Sequence, residues 1–355
     1  MKIVTIVGAR PQFIKYGPLG KKLKKNFDEI LVHTGQHYDE KMSDFLFRDL
    51  QIPKPEINLE IGSHSHGKQT ALILEGIEKV ILEKKPDLVI VFGDTNSTIA
   101  GALAASKLHI KLAHIEAGLR SFNKLMPEEI NRILTDHCSD LLLCPTENAI
   151  KNLKDENIHN GVFFTGDIMY EAYLENLNIA QKKSKILSEL NLNGDQFFLA
   201  TIHRAENTDQ IENLKNILEA FKEIDRKIIL PLHPRTKKII SQNNISVNSS
   251  IKIIEPVGYL DMLQLLNNCQ KVLTDSGGLQ KEAFFAKKNC ITLRDETEWV
   301  ETVEANVNVL CGANKNKITE EALKNSSINF DEIKSPFGEG NTSQIIIDII
   351  KNKMN

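Results

Sequence analysis

Two short segments, in which an apolar run breaks at glycine and leads directly into a helical pattern, constrain the fold of this chain most strongly. They are Ile6-Val7-Gly8-Ala9-Arg10-Pro11 and Thr274-Asp275-Ser276-Gly277-Gly278-Leu279. A strand that turns through glycine into a helix presents backbone N–H groups that can bind a phosphate. The glycine spacing differs from that of a P-loop and of G-x-G-x-x-G, which disfavours ATP or a dinucleotide. We therefore expect a nucleotide diphosphate held between two halves of the chain.

Apolar strands alternate with helical segments in two series, separated by a lysine-rich helical connector at residues 180–190. This rhythm is typical of parallel sheets covered by helices on both faces. The predicted fold is α/β, with two Rossmann-like domains facing a central cleft. We expect an N-terminal domain at residues 1–168, a C-terminal domain at 169–340, and a last helix at 341–355 that packs back on the first domain. The predicted strands are residues 2–8, 29–33, 87–92, 111–116, 140–144, 162–165, 197–202, 227–232, 251–254, 271–275, 290–293 and 308–310.

The composition limits the class of protein. With 355 residues, 41% of them hydrophobic, the chain is too long for one compact core and suits two domains. A formal net charge of −3 offers no basic field for nucleic acid. The five cysteines are scattered, without C-x-x-C pairs or histidines at zinc spacing, and no apolar run approaches the ~20 residues of a membrane span. We expect a cytoplasmic protein with reduced cysteines, no metal, and no nucleic-acid or membrane partner.

Three carboxylates lie where predicted strands end or the next helix begins. Asp94 and Glu116 each end a strand segment, and Glu128 opens the helix that starts near Pro127. Carboxylates crowded in a partly desolvated site shift one another's pKa, so that one acts as an acid while another acts as a base. The structural alternative is that Asp94 caps the helix starting at Thr95 and that Glu128 only favours a helix N-terminus. Their joint placement at one edge of a sheet favours catalysis.

Histidines and an arginine follow two predicted strands of the second half. His203 and Arg204 follow residues 197–202, and His233 follows residues 227–232. An imidazole beside a guanidinium at a strand end can neutralise a departing diphosphate. Alternatively, Arg204 and Glu206 pair only to hold the loop.

Three further side chains accompany the two glycine turns. Arg10 and Lys15 add positive charge at the first turn, and Glu282 lies one helical turn after the second, where a carboxylate could reach ribose hydroxyls.

Seven segments, in order over nearly the whole chain, carry a family resemblance. They are Gly8-Ala9-Arg10-Pro11, Thr34-Gly35-Gln36-His37, Gly93-Asp94-Thr95, His114-Ile115-Glu116-Ala117-Gly118-Leu119-Arg120, Pro127-Glu128-Glu129-Ile130-Asn131-Arg132, His203-Arg204-Ala205-Glu206-Asn207 and Asp275-Ser276-Gly277-Gly278. Together they resemble the non-hydrolysing UDP-N-acetylglucosamine 2-epimerase family. The resemblance implies the two-domain glycosyltransferase-B fold, a homodimer, a UDP-sugar substrate, and no metal or redox cofactor.

The implied reaction interconverts UDP-N-acetylglucosamine and UDP-N-acetylmannosamine, a precursor of surface polysaccharides. The C2 proton has no adjacent carbonyl to acidify it, so the family eliminates UDP across C1 and C2 and adds it back with the proton on the other face. By motif position, the catalytic groups are Asp94, Glu116, Glu128 and His203, with the acid and base roles of the carboxylates left open. The implied UDP contacts are Arg10, Lys15, His233, Ser276, Gly277, Gly278 and Glu282.

The resemblance also implies a regulatory site in some members, where a second UDP-sugar binds as activator. The corresponding residues here are Gln36, His37, Lys68, Gln69 and Arg204. Asp39 stands where those members commonly have glutamine.

The segment between Arg120 and Pro127 is shorter than in many bacterial members and contains Lys124. This favours, as an alternative substrate, a decorated sugar such as UDP-2,3-diacetamido-2,3-dideoxyglucuronate. A glycosyltransferase on the same scaffold and a catalytically silent nucleotide-sugar sensor are alternatives of other classes. A sensor would have little reason to crowd three carboxylates beside a diphosphate, and a transferase should consume its donor only when an acceptor is present.

Overall fold

The computed structural model describes residues 1–36, 50, 52–325 and 328–354. They form two compact units, which we call unit 1 (Met1–Glu175 with Ser335–Asn355) and unit 2 (Asn176–Lys334). The division therefore falls at residues 175/176 and 334/335, whereas the sequence suggested 168/169 and 340/341. One continuous helix, Ile168–Lys183, begins at the boundary expected near residue 168 and runs through the observed boundary at 175/176.

Unit 1 is built on a parallel sheet of seven strands in the order β3-β2-β1-β4-β5-β6-β7. The strands are β1 (Lys2–Val7), β2 (Asp28–His33), β3 (Ile57–Asn58), β4 (Leu88–Phe92), β5 (Lys111–Ile115), β6 (Leu141–Cys144) and β7 (Val162–Phe164). The helices described in this part of the chain, the last of which runs on into unit 2, are α1 (Arg10–Asn26), α2 (His66–Lys84), α3 (Asn96–Lys107), α4 (Pro127–Cys138), α5 (Glu147–Asp155) and α6 (Ile168–Lys183). The central strands are apolar and buried on both faces, as parallel sheets require.

Unit 2 repeats this plan with a parallel sheet of six strands in the order β10-β9-β8-β11-β12-β13. The strands are β8 (Phe198–Thr201), β9 (Ile228–Pro231), β10 (Ile251–Ile254), β11 (Lys271–Thr274), β12 (Asn289–Thr292) and β13 (Asn308–Leu310). The helices are α7 (Ile186–Glu189), α8 (Ala205–Thr208), α9 (Ile211–Ile224), α10 (Pro234–Gln242), α11 (Tyr259–Asn268), α12 (Gly277–Phe285), α13 (Val300–Glu304) and α14 (Lys315–Leu323), followed by a 3₁₀ turn at Phe330–Glu332. The predicted α/β class with two parallel Rossmann-like sheets is confirmed.

The last helix, α15 (Thr342–Lys353), belongs to unit 1, where it packs against α1. Its first turn is tied down by Glu171 of α6, which accepts a hydrogen bond from the backbone N–H of Ser343 at 2.6 Å. Lys22 of α1 lies 3.3 Å from the same carboxylate. The chain thus returns to unit 1 after completing unit 2. Of the helices in the described ranges, none is both long and apolar enough to cross a membrane.

Candidate active site

Asp94 and Glu116 lie at one edge of the unit 1 sheet, because β4 and β5 are adjacent and each residue follows the end of its strand closely. Gly93, with a φ of +60°, stands between them. A Cβ atom at Gly93 would lie 3.3 Å from Oε2 of Glu116 and 3.5 Å from Nζ of Lys15. The Glu116 carboxylate therefore lies directly against the backbone that leads into Asp94.

Glu116 is buried and paired. Its carboxylate contacts the ammonium group of Lys15, and the two side chains are only 6% and 12% exposed. Its φ of +74° is unusual for a residue with a side chain, and the conformation is held by a hydrogen bond from its N–H to the Leu143 carbonyl at 3.1 Å. Such strain is common where a chain must aim a functional side chain. Lys15 is thus engaged by Glu116 rather than fully solvated.

Asp94 accepts a hydrogen bond from Nη1 of Arg132 at 2.6 Å and keeps about a third of its side chain exposed. The helix that follows it is capped by Thr95, whose hydroxyl accepts from the N–H of Thr98, so Asp94 is not the cap. Burial raises the pKa of Asp94, Glu116 and Glu128 raise it further, and Arg132 and Lys15 act against this. The Asp94 carboxyl therefore holds its proton more readily than an exposed aspartate does.

The two glutamates that open α4 have different roles. Glu129 is 1% exposed and accepts hydrogen bonds from the backbone N–H groups of Ser121 at 2.9 Å and Phe122 at 2.8 Å. It also contacts Arg132 at 2.9 Å, so it anchors the loop before the helix. Glu128 is exposed in the first turn of the helix and adds to the negative charge around Asp94.

The first glycine turn differs from the expectation of bare N–H groups. The N–H groups of Gly8 and Ala9 both donate to Oε1 of Gln12, at 2.7 and 3.0 Å. Gln12 in turn donates to the Phe92 carbonyl at 2.7 Å. The expectation was wrong for these two groups because a side chain of the helix folds back and satisfies them. Arg10, the first residue of α1, is half-buried beside this turn.

The residues assigned by resemblance to a second sugar site lie in different environments. Gln36 is buried, and its Oε1 accepts two hydrogen bonds from Ser97, one from the backbone N–H at 3.0 Å and one from the hydroxyl at 2.6 Å. Gln69 is buried and donates to the Gly62 carbonyl at 2.7 Å, whereas Lys68 is exposed on α2. Arg204 belongs to unit 2, and His37 and Asp39 lie outside the described residues. Both glutamine side chains thus form hydrogen bonds within unit 1.

The second glycine turn keeps the features expected of a phosphate-binding turn. Ser276 is the N-cap of α12, and its hydroxyl accepts from the N–H of Leu279 at 3.4 Å. Within the described ranges, no hydrogen bond uses the N–H of Gly277 or Gly278. A Cβ atom at Gly277 would lie 2.2 Å from Oε1 of Glu298, so the end of that side chain lies directly against the start of the helix. The helix N-terminus therefore has free donors for an anion.

Glu282 lies in the same helix and is 6% exposed. The hydroxyl of Tyr259 donates to its Oε1 at 2.8 Å, which orients the carboxylate. An oriented carboxylate one turn behind a phosphate-binding turn is suited to accept hydrogen bonds from ribose hydroxyls.

Asp275 is a further candidate site residue, which the sequence analysis quoted but did not assign. It is fully buried and accepts from the backbone N–H groups of His203 at 3.0 Å and Arg204 at 3.0 Å, and from Asn207 at 3.1 Å. Nδ1 of His203 lies 3.0 Å from the same carboxylate. Burial raises the pKa of Asp275, but hydrogen bonds from the His203 segment outweigh this and hold the pKa below its ordinary value. The position of Asp275 at the end of β11, next to β8, was the available signal.

This pairing orients the His203 ring. Nδ1 donates to Asp275, which leaves Nε2 available to exchange a proton or to contact an anion. The side chain of His203 is 53% exposed, so a ligand can reach it. The predicted alternative of an Arg204–Glu206 pair is not seen in the described part of the chain, where Nε of Arg204 donates instead to the Asp275 carbonyl at 3.1 Å.

His233 is the exposed N-cap of α10, and its Nδ1 accepts from the N–H of Arg235 at 3.2 Å. Each unit thus carries its own group of candidate site residues. Unit 1 presents acidic groups with paired cations, and unit 2 presents a helix N-terminus with free N–H donors and a histidine whose ring is oriented. No cluster of three or more potential metal ligands occurs among the described residues.

Comparison with known proteins identifies the family. A family model described as UDP-N-acetylglucosamine 2-epimerase matches residues 21–351. The UDP-N-acetylglucosamine 2-epimerase homolog of Methanococcus maripaludis is 55% identical over 99% of this chain and 100% of its own. The UDP-2,3-diacetamido-2,3-dideoxy-D-glucuronate 2-epimerase of Pseudomonas aeruginosa is 48% identical over 99% of both chains.

A solved structure supports the same assignment. The crystal structure of Methanocaldococcus jannaschii UDP-GlcNAc 2-epimerase in complex with UDP-GlcNAc and UDP has a TM-score of 0.91 and 49% identity, covering 99% of this chain and 100% of that one. The family resemblance inferred from the sequence motifs is therefore confirmed. This chain belongs to the UDP-N-acetylglucosamine 2-epimerase family, whose members named here are isomerases of UDP-sugars.

Proposed function

We propose that this enzyme reversibly inverts C2 of UDP-N-acetylglucosamine to form UDP-N-acetylmannosamine, without hydrolysing the sugar nucleotide. The observation that carries the proposal is the pair of carboxylates at adjacent strand ends, Asp94 beside Arg132 and Glu116 beside Lys15. The two carboxylates differ in environment, and that difference is what acid and base roles require. The relatives named above support the substrate class.

The reaction proceeds by elimination and re-addition of UDP. A base takes the C2 proton, the electron pair of that C–H bond forms the C1–C2 double bond, and UDP leaves with the electrons of the C1–O bond. Return of a proton to the opposite face of C2 and attack of UDP on C1 complete the inversion. Glu116, paired with the ammonium group of Lys15, is suited to the base role, and Asp94 is suited to deliver the proton. We assign to Glu128 the exchange of protons between Asp94 and solvent, since it is exposed and its charge acts on Asp94.

Unit 2 holds the nucleotide. The N–H groups of Gly277 and Gly278 and the hydroxyl of Ser276 bind the diphosphate, and Glu282 binds the ribose. His203, through Nε2, stabilises the charge that develops on the departing diphosphate. Arg10 and Lys15 contribute positive charge to UDP binding, and His233, whose Nδ1 accepts from the N–H of Arg235, contributes a hydrogen bond through Nε2.

One experiment separates this function from the alternatives. The protein is incubated with UDP-N-acetylglucosamine alone in heavy water, and epimer, free UDP and deuterium at C2 are followed by NMR. Epimer carrying deuterium at C2 supports elimination and re-addition. Stoichiometric free UDP would indicate a hydrolysing enzyme, an absence of turnover would favour a transferase or a sensor, and epimer without deuterium would reject the mechanism.

A decorated sugar is the second candidate, because the Pseudomonas aeruginosa relative is named for a diacetamido glucuronate. A C6 carboxylate could be bound by Lys124, but this lysine is exposed, and exposed ion pairs contribute little. We therefore expect kcat/KM to favour UDP-N-acetylglucosamine and Lys124→Ala to change the preference little. A preference for the uronate above about tenfold that is lost in Lys124→Ala would reverse the assignment.

We also propose that the enzyme works as a cytoplasmic homodimer whose product serves surface polysaccharide synthesis. Exposed apolar side chains on and before α4, including Leu125, Ile130 and Leu134, support self-association. All five cysteines are free thiols, which is typical of a reducing compartment. Analytical ultracentrifugation tests the dimer, and a single monomeric species at micromolar concentration would reject it.

A further inference from the structure

His114 is a buried histidine of β5, two residues before Glu116, and it plays no part in the proposed chemistry. Its Nδ1 lies 2.6 Å from Oδ1 of Asp136, and its Nε2 lies 2.7 Å from the carbonyl oxygen of Gly93. Gly93 is the residue immediately before Asp94. One ring nitrogen therefore holds the backbone that leads into a candidate catalytic carboxylate.

Asp136 of α4 connects this histidine to the second carboxylate. Its other oxygen, Oδ2, accepts from the N–H of Gly118 at 3.0 Å and from Nη1 of Arg120 at 2.7 Å. Gly118 lies two residues after Glu116. The His114–Asp136 pair thus spans the two loops that carry Asp94 and Glu116.

Both loops need such support because their backbones adopt left-handed conformations. The φ angles are +60° at Gly93, +74° at Glu116 and +81° at Gly118. Gly118 is held from both sides, since Asn152 also donates to its carbonyl oxygen at 2.9 Å. A Cβ atom at Gly118 would lie 2.3 Å from the Ala149 carbonyl oxygen, so this loop has little room to move.

Asp136, Arg120 and Glu156 form a chain of alternating charge that is fully buried at Asp136 and reaches the surface at Glu156. Asp136 and the side chain of Arg120 are at most 1% exposed, and Arg120 also makes a two-pronged contact with Glu156 at 2.7 and 2.8 Å. Burial raises the pKa of Asp136, but His114 and Arg120 outweigh this and hold it below its ordinary value. Asp136 is thus a carboxylate, which can only accept hydrogen bonds, and the carbonyl oxygen of Gly93 can likewise only accept. Both ring nitrogens of His114 therefore carry hydrogen.

We propose that His114 and Asp136 are positioning residues that set the separation of Asp94 and Glu116 by holding the backbones at Gly93 and Gly118. This inference rests on the proposed roles of Asp94 and Glu116 in epimerisation. It assigns neither His114 nor Asp136 any contact with substrate. Loss of the pair should move the carboxylates relative to each other while nucleotide binding in unit 2 is retained.

The test compares Asp136→Asn and His114→Gln with a matched control, Asp140→Asn. Asp140 also binds the backbone of β5, through the N–H of Leu112 at 3.0 Å, but at the strand's opposite, amino end. With assays run well below each unfolding temperature, we expect kcat to fall between about 10-fold and 100-fold in the first two variants, since small misplacements of catalytic groups have effects of this size. KM should change less than about threefold, and Asp140→Asn should change neither constant more than about twofold.

A spectroscopic measurement tests the pair without reference to activity. In the wild-type protein with ¹⁵N-labelled histidine, His114 should show two N–H signals, assigned by their loss in His114→Gln. The proposal would be overturned by a His114 ring that shows only one N–H signal, or by an unchanged kcat in both variants. It would also be overturned if kcat and stability fell in parallel and Asp140→Asn showed the same fall. If neither variant folds, Asn152→Ala takes their place, with the same expected fall in kcat. Failure of the wild-type protein to epimerise would reject the proposed function. The histidine signals would still show whether His114 and Asp136 form an ionic pair.

Discussion

Glu29 is a buried carboxyl in the unit 1 sheet, and its replacement by glutamine should change how stability depends on pH. The side chain is 7% exposed and accepts a hydrogen bond from the Tyr16 hydroxyl at 3.1 Å. Burial raises the pKa of Glu29 from 4.5 to about 7, and the hydroxyls of Thr5 and Tyr16 only partly oppose this. Glutamine has nearly the same shape, and its carbonyl oxygen can still accept from Tyr16.

The sign and size of the effect follow from proton binding. Between pH 4.5 and about 7 the unfolded chain has lost a proton that the folded protein keeps, so the free energy of unfolding falls as the pH rises through this window. Each unit of pKa difference corresponds to ~1.4 kcal/mol, so the full loss is about 3 kcal/mol, of which about 2.5 kcal/mol lies between pH 5 and pH 8. Glu29→Gln removes this loss, so the free energy of unfolding of the variant, relative to that of the wild type, should rise by about 2.5 kcal/mol between pH 5 and pH 8.

Urea unfolding at pH 5 and pH 8 measures the effect. Far-UV circular dichroism reports on both units, whereas fluorescence of Trp299, the single tryptophan, reports on unit 2 and serves as an internal reference. Glu75→Gln, at an exposed i,i+4 pair with Lys79, is the matched control and should change the pH dependence little. A difference between Glu29→Gln and wild type that stays constant within about 0.5 kcal/mol across this range would refute the reasoning.

Four further predictions concern the site. Conservative replacement of each proposed catalytic group should lower turnover by roughly 100-fold or more while UDP binding, measured by calorimetry, persists; a parallel loss of thermal stability would instead mean a structural role. The variants are Asp94→Asn, Glu116→Gln, Glu128→Gln and His203→Asn. Glu282→Ala should weaken UDP binding with little change in turnover at saturation, and an unchanged Kd would remove it from the nucleotide site. Gly277→Ala should lower stability by at most about 1 kcal/mol, because the flexible end of the Glu298 side chain can shift, and Gly278→Ala, whose nearest atom is Oγ of Ser276 at 3.9 Å, should cost less still. Asp275→Asn should lower kcat, because the ring of His203 loses the carboxylate that orients its Nδ1; an unchanged kcat would contradict this role.

The repeated alternation of apolar strands and helices was enough to predict both sheets, since strands buried on two faces give unmistakable apolar runs. Strand β3 was missed because it has only two residues, Ile57 and Asn58, and no periodicity. The connector predicted as helical at residues 180–190 is divided between α6 and α7, with Ser184 and Lys185 between them. Short elements of this kind depend on tertiary contacts that a local pattern does not contain.

The candidate site was predictable in position but not in its internal hydrogen bonds. Strand ends located Asp94 and Glu116, because parallel strands place their carboxyl ends at one edge. The satisfaction of the Gly8 turn by Gln12 could not be predicted, since the same residues could equally expose their N–H groups. Neither could the ionic chain through Asp136, whose partners lie on separate elements far apart in the sequence.

Unit 1 is built from two separate parts of the chain, so the order of synthesis determines when it can finish folding. Helix α15, which packs on α1 and is bound by Glu171, leaves the ribosome only after every residue of unit 2. Unit 2 can therefore complete its sheet during translation, while unit 1 still lacks the helix that packs on α1. We expect nascent chains halted before residue 342 to bind UDP through unit 2 but to remain sensitive to protease in unit 1. Catalytic competence would then arise last, when the returning helix closes the unit that was begun first.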